Sequence, residues 1–193
     1  MSLLEHAQTD TGGHFHNFMS YKREFLDEKG SEDTLGRTIY GLGHVVSCPY
    51  LSKNIRTLAR ILISKSRSEM ENLGSPRAKA YAICGLYEIL RAGVDADEFE
   101  SVFKLHKDVV KPIDTLADRD NFESIIISHA DSLVDLYEAN HKEDWNWFEP
   151  TVTYSNAKLS ESLLLAYNYT KDRTYREIGL ATLDFLTEIQ WKG

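Results

Sequence analysis

Apolar residues recur every three or four positions along most of the chain, and this spacing constrains the fold more than any other feature. Within residues 51–73, for example, Ile55, Leu58 and Leu62 fall on one face of a helix. No stretch alternates apolar and polar residues for long enough to indicate a β-strand. The pattern therefore predicts an all-α protein.

Capping and turn residues divide this pattern into seven predicted helices. Ser31, followed by two acidic residues, places the start of the first near residue 32, because these residue types cap or favour helix N-termini. Pro76 suits the first turn of the third, residues 76–93, whose apolar residues lie on almost all sides and predict a central position. The other five are predicted within residues 51–73, between Val102 and Leu116 with a kink or break at Pro112, between Ile126 and Tyr137, from about residue 156, and from Ile178 to about residue 190.

Short connections between these helices predict antiparallel hairpins within a single domain, residues 1–193. Apolar inner helices alternating with amphipathic outer ones are what an α/α toroid requires, because its inner ring is covered on both sides. Loops at one end of such a ring converge on a shared cavity. We expect the unusual segments 10–33 and 141–156 to line it.

Composition excludes several classes of protein. The net charge of −8 argues against partners rich in phosphate, namely nucleic acids and anionic membranes. No apolar run approaches the roughly 18 residues of a membrane span, and the N-terminus does not resemble a signal peptide, so we expect a cytoplasmic protein. Cys48 and Cys84 lie in apolar helical surroundings without a CxxC motif, which predicts reduced core cysteines.

The segment DWNWFEP, residues 144–150, places aromatic rings beside carboxylates. Sugars present apolar faces and polar edges, so a saccharide site combines aromatic platforms with charged and amide groups. Pro150 favours an extended chain. We therefore expect Trp145 and Trp147 to point one way, for stacking on a sugar, and Asn146 and Phe148 to point the other way. Asp144 and Glu149 are candidate acid–base groups. The alternative is structural: a tryptophan packs between hairpins and the acids cap helices.

The segment SEDTLGR, residues 31–37, contains a second charged group. Glu32 and Asp33 could contact sugar hydroxyls or serve as further candidate catalytic carboxylates, with Arg37 holding a carboxylate in place. The alternative is that Asp33 and Arg37 pair on one helical face, which contributes only about 0.3–0.5 kcal/mol.

Five further polar or aromatic residues complete the predicted binding site. His14, His16 and Asn17 are expected at the mouth of the ring, whereas a metal role for the histidines is weakly supported, because H-x-H lacks further spaced ligands. Tyr154 and Asn156 lie where a helix begins, so Asn156 is expected to be an N-cap first and a ligand contact second. We expect no metal and no cofactor.

Three long strings together resemble one family, namely DTGGHFHNFMSYKREFLDEKGSEDTLGRTIYGLG, SPRAKAYAICGL and DWNWFEPTVTYSNAKLSESLLLAYNYTKDRTYREIGLATLDFL. This family is a bacterial α/α-toroid domain that is often joined to glycosyltransferases such as mannosyltransferases. Its fold resembles the six-hairpin architecture of many glycosidases and sugar epimerases. The resemblance implies a saccharide-related role. A closed ring of six hairpins has about twelve helices, so seven predicted helices imply part of a ring, with apolar flanks that associate with a second copy or are covered by the chain's own ends.

Three functional classes stay open at this point. The favoured one is a saccharide-binding domain that serves a fused or adjacent glycosyltransferase. The second is a glycoside hydrolase or sugar epimerase using paired carboxylates, in which Glu149→Gln would preserve the fold and abolish turnover. The third is a non-catalytic helical scaffold. No Ser-His-Asp order, phosphate-binding glycine loop or dinucleotide motif competes with these classes.

Overall fold

The computed structural model describes residues 2–9, 13–93 and 116–191, which are almost entirely helical and loop. Within these ranges the all-α prediction is confirmed, and the extended pairing is confined to three isolated bridges, Gln8 with Phe15, Met19 with Phe25 and Lys142 with Trp145. The helices are α1 (Ser2–Ala7), α2 (Glu32–Ser47), α3 (Lys53–Lys65), α4 (Arg67–Glu71), α5 (Pro76–Ala92), α6 (Leu116–Asn140), α7 (Ala157–Thr170) and α8 (Arg173–Gln190).

The observed helices depart from the prediction at α1 and between α3 and α4. The short helix α1 was not predicted, because six residues carry too little periodicity to recognise. The predicted second helix is two helices, since the chain breaks at Ser66 between α3 and α4. The predicted helix around Pro112 lies outside the described residues except for Leu116, where α6 begins.

Local capping explains where several helices start. The Ser31 hydroxyl accepts a hydrogen bond from the Thr34 amide at 3.2 Å, and Ser75 accepts one from Ala78 at 3.4 Å before Pro76 at the first helical position. Asp172 accepts one from Thr174 at 2.9 Å. Each cap satisfies an amide that has no partner within its helix.

Helices α2 and α5 lie side by side with their backbones nearly in contact. Gly36 of α2 faces Ala78 of α5, and further along both helices Gly43 faces Gly85. The matching order of these contacts shows that α2 and α5 run in the same direction. A Cβ atom at Gly85 would lie 2.5 Å from the carbonyl oxygen of Ile39, so any larger residue would force the helices apart.

From α5 to α8, successive helices alternate in direction. The Tyr81 hydroxyl donates to Ser155, so the N-terminal ends of α5 and α7 lie together and these helices are parallel. Tyr169, late in α7, donates to Glu123, early in α6, so α6 runs opposite to α7. Ser160 bonds to Thr182, and α8 returns beside α7 as a hairpin.

Helix α5 is the centre of the core, as its sequence predicted. It packs against α2, α6 and α7, and it buries apolar residues on several sides, including Ile83 and Leu86. Cys84 is also buried there, and burial raises the pKa of its thiol to about 12. Both cysteines are free, although Cys48 is only half-buried.

Helix α8 leaves part of its surface uncovered. Its exposed side carries Leu180, Leu183 and Ile189, and Trp191 follows the helix. Such side chains are the kind of flank from which self-association was predicted, and that expectation stays a prediction. Over the described residues, no helix is both long enough and apolar enough to cross a membrane.

Candidate functional site

The DWNWFEP segment is largely part of the core. Trp147 and Phe148 are both completely buried, and their rings meet edge to face with centroids 5.2 Å apart. The expectation that Trp147 faces a ligand while Phe148 points away is therefore wrong. Two adjacent apolar rings stay out of water here, because the loop folds inward between helices instead of running extended over the surface.

Trp145 also has a structural role. Its indole N–H donates to the backbone carbonyl of Glu149 at 2.8 Å, and its ring packs edge to face on Phe185 with centroids 5.1 Å apart. Its half-buried ring lines a cavity of about 410 Å³ together with the exposed Asp144 and Pro150. Asp144 therefore lies at a different cavity from Asp33.

Glu149 is bound to a residue that the sequence did not identify, Arg77 in the first turn of α5. The two guanidinium nitrogens donate to the two carboxylate oxygens at 2.9 and 2.7 Å. Arg77 is only 5% exposed and also donates to the carbonyl oxygen of Tyr154 at 2.6 Å. Burial opposes its charge, but the hydrogen bonds and charge of Glu149 raise the pKa of Arg77 overall. Glu149 thus attaches the loop to α5.

Asn156 belongs to the same anchor and, although it immediately precedes α7, its side chain does not cap that helix. Its backbone already has helical angles, φ −59° and ψ −47°, and its side chain makes no capping hydrogen bond. Its amide oxygen accepts from the Thr153 amide at 3.2 Å and from Arg77 at 3.3 Å. Asn156 therefore closes the turn that precedes α7.

Glu32 joins the beginnings of two helices. Its carboxylate accepts from the backbone amides of Gly74 at 2.9 Å and Ser75 at 2.5 Å, just before α5 begins. These amides have no partner within α5, so Glu32 satisfies them from α2. This carboxylate is occupied in holding α2 beside α5.

Asp33 lies at the centre of a more exposed cluster, which we call the Asp33 cluster: Asp33, Arg37, Ser75 and Tyr154. Ser75 donates to Asp33 Oδ1 at 3.2 Å, and the Tyr154 hydroxyl donates to Oδ2 at 2.5 Å. The hydrogen bond to Asp33 raises the pKa of the Tyr154 hydroxyl. The side chain of Tyr154 nevertheless remains 49% exposed.

Arg37 completes the Asp33 cluster and faces solvent. Its guanidinium lies 3.9 Å from Asp33 Oδ2, and its side chain is 53% exposed. It also lies over the rings of Tyr81 and Tyr154, at 5.4 and 6.0 Å from their centroids. The predicted ion pair is therefore present but long, and the two rings help to fix the guanidinium.

An open cavity of about 580 Å³, which we call the first cavity, adjoins the Asp33 cluster. Asp33 and Arg37 line it, together with Asn17 from the N-terminal loop. Tyr154 reaches Asp33 from the other predicted loop, so both loops meet the beginning of α2. The remaining lining residues are Leu4, Ser31, Thr34, Thr38, Gly41, Leu42 and Val45.

A second cavity of about 510 Å³ lies beyond Tyr81. Ser155, Asn156 and Lys158 line it from the start of α7, and Gln190 lines it from the end of α8. The Lys158 ammonium is paired with Glu161 at 2.7 Å and donates to the Tyr40 hydroxyl at 3.0 Å.

His14 and His16, which were predicted to lie at the site, each interact with other groups of the protein. His14 Nε2 lies 2.7 Å from a carboxylate oxygen of Glu69. His16 Nδ1 lies 2.6 Å from the carbonyl oxygen of Asp27, and its ring stacks on Phe25. Neither lines the first cavity, whereas Asn17 does. No cluster of three or more metal-ligating side chains occurs within the described ranges, and the neighbouring Asp10 lies outside them.

Arg77 and Tyr81 are the residues that sequence reasoning missed. Both belong to a helix that is otherwise rich in apolar residues, and a buried charge in such a helix requires a partner of opposite charge. That requirement was the available signal for Arg77. Comparison of the chain with protein-family models, curated proteins and solved structures found no match.

Proposed function

We propose that this chain is a saccharide-binding domain, built as part of an α/α toroid and serving a mannosyltransferase-like glycosyltransferase. The motifs that resemble the toroid family include GSEDTLGR, which supplies Asp33 and Arg37. The glycosyltransferase association rests on this resemblance alone. The ligand site is proposed at the Asp33 cluster and the first cavity.

The directions of the helices support the toroid part of the proposal. Helices α2, α5 and α7 are parallel neighbours, and α6 and α8 run against α7. Helix α3 returns beside α2 after a short turn. Parallel inner helices, each followed by a returning outer helix, are the repeating unit of an α/α toroid. Three such hairpins amount to part of a ring of six.

The observation that carries the saccharide proposal is the position of Tyr154. About half of Tyr154 is exposed, and its hydroxyl is fixed by Asp33. Arg37 lies beside its ring, and Asp33 and Arg37 both line the open first cavity. A flat ring can cover the apolar face of a sugar, while the carboxylate and guanidinium bond to hydroxyl groups at its edge. We therefore assign the stacking on a sugar to Tyr154 instead of to Trp145 and Trp147.

Binding is favoured over catalysis because two of the four candidate carboxylates are held by structural partners. Glu149 is paired with Arg77, and Glu32 accepts from two backbone amides. Of the four candidate carboxylates, Asp33 alone lines the first cavity. Acid–base catalysis on a glycosidic bond usually needs two carboxylates that face the same sugar. A glycosidase or epimerase interpretation therefore has one of these four candidate carboxylates at the first cavity instead of two.

A scaffold function is the second candidate, and the burial of Trp147 and Phe148 favours it. These rings stabilise the fold without any ligand. The scaffold reading does not explain why Tyr154 and Arg37 stay exposed beside a cavity, so it ranks second.

Calorimetric titration with mannose- and glucose-containing oligosaccharides tests the proposal. We expect wild type to bind at least one of them, and Tyr154→Ala to weaken that binding by about tenfold or more, since removal of a stacking ring costs roughly 1–3 kcal/mol. Tyr50→Ala is the matched control, because Tyr50 is 95% exposed, lies outside the Asp33 cluster and lines neither cavity. Equal binding by wild type and a folded Tyr154→Ala variant would remove the site, and no binding by wild type would favour the scaffold.

A further inference from the structure

The two cavities lie on either side of one group of side chains. Arg37 lines the first cavity, and Tyr81, whose ring centroid is 5.4 Å from the Arg37 guanidinium, lines the second. Tyr154 bonds to Asp33 on the first side, and the next residue, Ser155, lines the second. Arg37 and the Tyr81 ring therefore connect the two cavities, and the exposed Tyr154 lies beside Arg37.

This bridge is held in place from both sides. The Tyr81 hydroxyl donates to Ser155 Oγ at 3.0 Å, which ties α5 to the start of α7. The Arg77 guanidinium lies 4.6 Å from the centroid of the Tyr154 ring and is itself fixed by Glu149. The exposed surface between the cavities is consequently a preorganised platform, and a ligand need not spend binding free energy on ordering it.

The second cavity also combines apolar and polar groups. Leu183 and Leu186 supply apolar surface, while Thr187 and Gln190 supply a hydroxyl and an amide from the same helix. An amide both donates and accepts hydrogen bonds, as sugar hydroxyls do. The second cavity thus offers the same kinds of contact as the first, next to Ser155, the residue that follows Tyr154.

We infer that the ligand is an oligosaccharide that occupies both cavities, with a central sugar over Tyr154 and Arg37, and not a single sugar. This inference rests on the proposed saccharide function and adds the length of the ligand to it. Two sugars that are joined covalently bind more tightly than either alone, because the second binds at a high effective concentration once the first is in place.

A length series tests the inference by calorimetry, using mannose and the corresponding linear di-, tri- and tetrasaccharides, and the glucose equivalents. We expect affinity to rise by about tenfold or more between the monosaccharide and the longest ligands. Gln190→Ala, in the second cavity, and Asn17→Ala, in the first, should each weaken tetrasaccharide binding by about three- to tenfold, the size expected for one lost hydrogen bond. Glu188→Ala is the control for Gln190→Ala, because Glu188 is exposed on α8 outside the second cavity.

The outcomes separate this inference from the function on which it rests. Equal affinity for a monosaccharide and a tetrasaccharide would overturn the inference and leave saccharide binding intact. So would a tetrasaccharide whose affinity falls with Asn17→Ala but is unaffected by Gln190→Ala. If wild type binds no ligand of the series, both the inference and the proposed function are wrong.

Discussion

Two short segments of this chain each combine acids with aromatic or basic groups, and the structure uses them in opposite ways. Segment 144–150 is folded into the core, where Trp147 is fully buried and Glu149 is bound to Arg77. Segment 31–37 lies at the open end of α2, where Arg37 remains exposed and Asp33 adjoins a cavity. Aromatic and charged residues that can bind a sugar can also be buried in a core. Whether the segment folds inward or stays at the surface decides between the two.

The difference follows from what each segment can bury. Segment 144–150 contributes three aromatic rings within four residues, and burying such rings stabilises the fold strongly. Glu149 can be partly buried with these rings because its carboxylate pairs with the buried guanidinium of Arg77. Segment 31–37 has one leucine for the core, Leu35, and its Asp33 and Arg37 line the first cavity. The first segment is expected to determine stability and the second to determine binding.

The largest effect is expected for Trp147→Ala. Removal of a fully buried tryptophan should lower the free energy of unfolding by about 3–5 kcal/mol, because it leaves a cavity in the core. The measurement is urea denaturation followed by circular dichroism. Trp191→Ala is the matched control, since Trp191 is 81% exposed and should change stability by less than about 0.5 kcal/mol. A wild-type denaturation midpoint for Trp147→Ala would place this segment outside the core.

Glu149→Gln should have the next largest effect. It removes the carboxylate that faces a guanidinium only 5% exposed, and an uncompensated buried charge costs about 3 kcal/mol, at the low end because Glu149 itself is partly exposed. The same denaturation measurement applies, with Asp144→Asn as the control at an exposed carboxylate of the same segment. If Glu149→Gln were as stable as wild type but could no longer bind or process a saccharide, the catalytic interpretation of Glu149 would regain its support.

The sequence was informative about the helices because their signals are local. Apolar spacing together with Ser31, Ser75 and Pro76 predicted the beginnings of α2 and α5, and each cap is made by residues within three positions. The break at Ser66 was missed because Ser66 lies on the apolar face of the predicted helix, four residues from both Leu62 and Met70. Its hydroxyl bonds to the carbonyl oxygens of Gly13 and Leu62, and the partner in the N-terminal loop is distant in sequence.

The candidate site was only partly predictable for the same reason. Asp33, Arg37 and Tyr154 were identified from their chemistry, but their convergence depends on a contact between residues 121 positions apart. Glu149 was identified as a carboxylate beside aromatic rings, and its partner Arg77 lies 72 positions away. A single sequence shows which residues could bind a sugar. It does not show which of them the fold has already paired.

Arg37→Ala should have the smallest effect on stability and a clear effect on binding. The side chain is half exposed and its ion pair with Asp33 is long, so its loss should change the free energy of unfolding by no more than about 0.5 kcal/mol. Its guanidinium nevertheless lies between the two cavities, where a ligand hydroxyl would meet it. We therefore expect oligosaccharide affinity to fall by about tenfold, the cost of a hydrogen bond to a charged group. Denaturation and calorimetric titration of the same preparation measure the two effects together. Arg91→Ala is the control, because Arg91 is similarly exposed, and its 2.7 Å pair with Glu88 on α5 lies outside both cavities. A stable Arg37→Ala variant with undiminished affinity would show that segment 31–37, like segment 144–150, serves the fold.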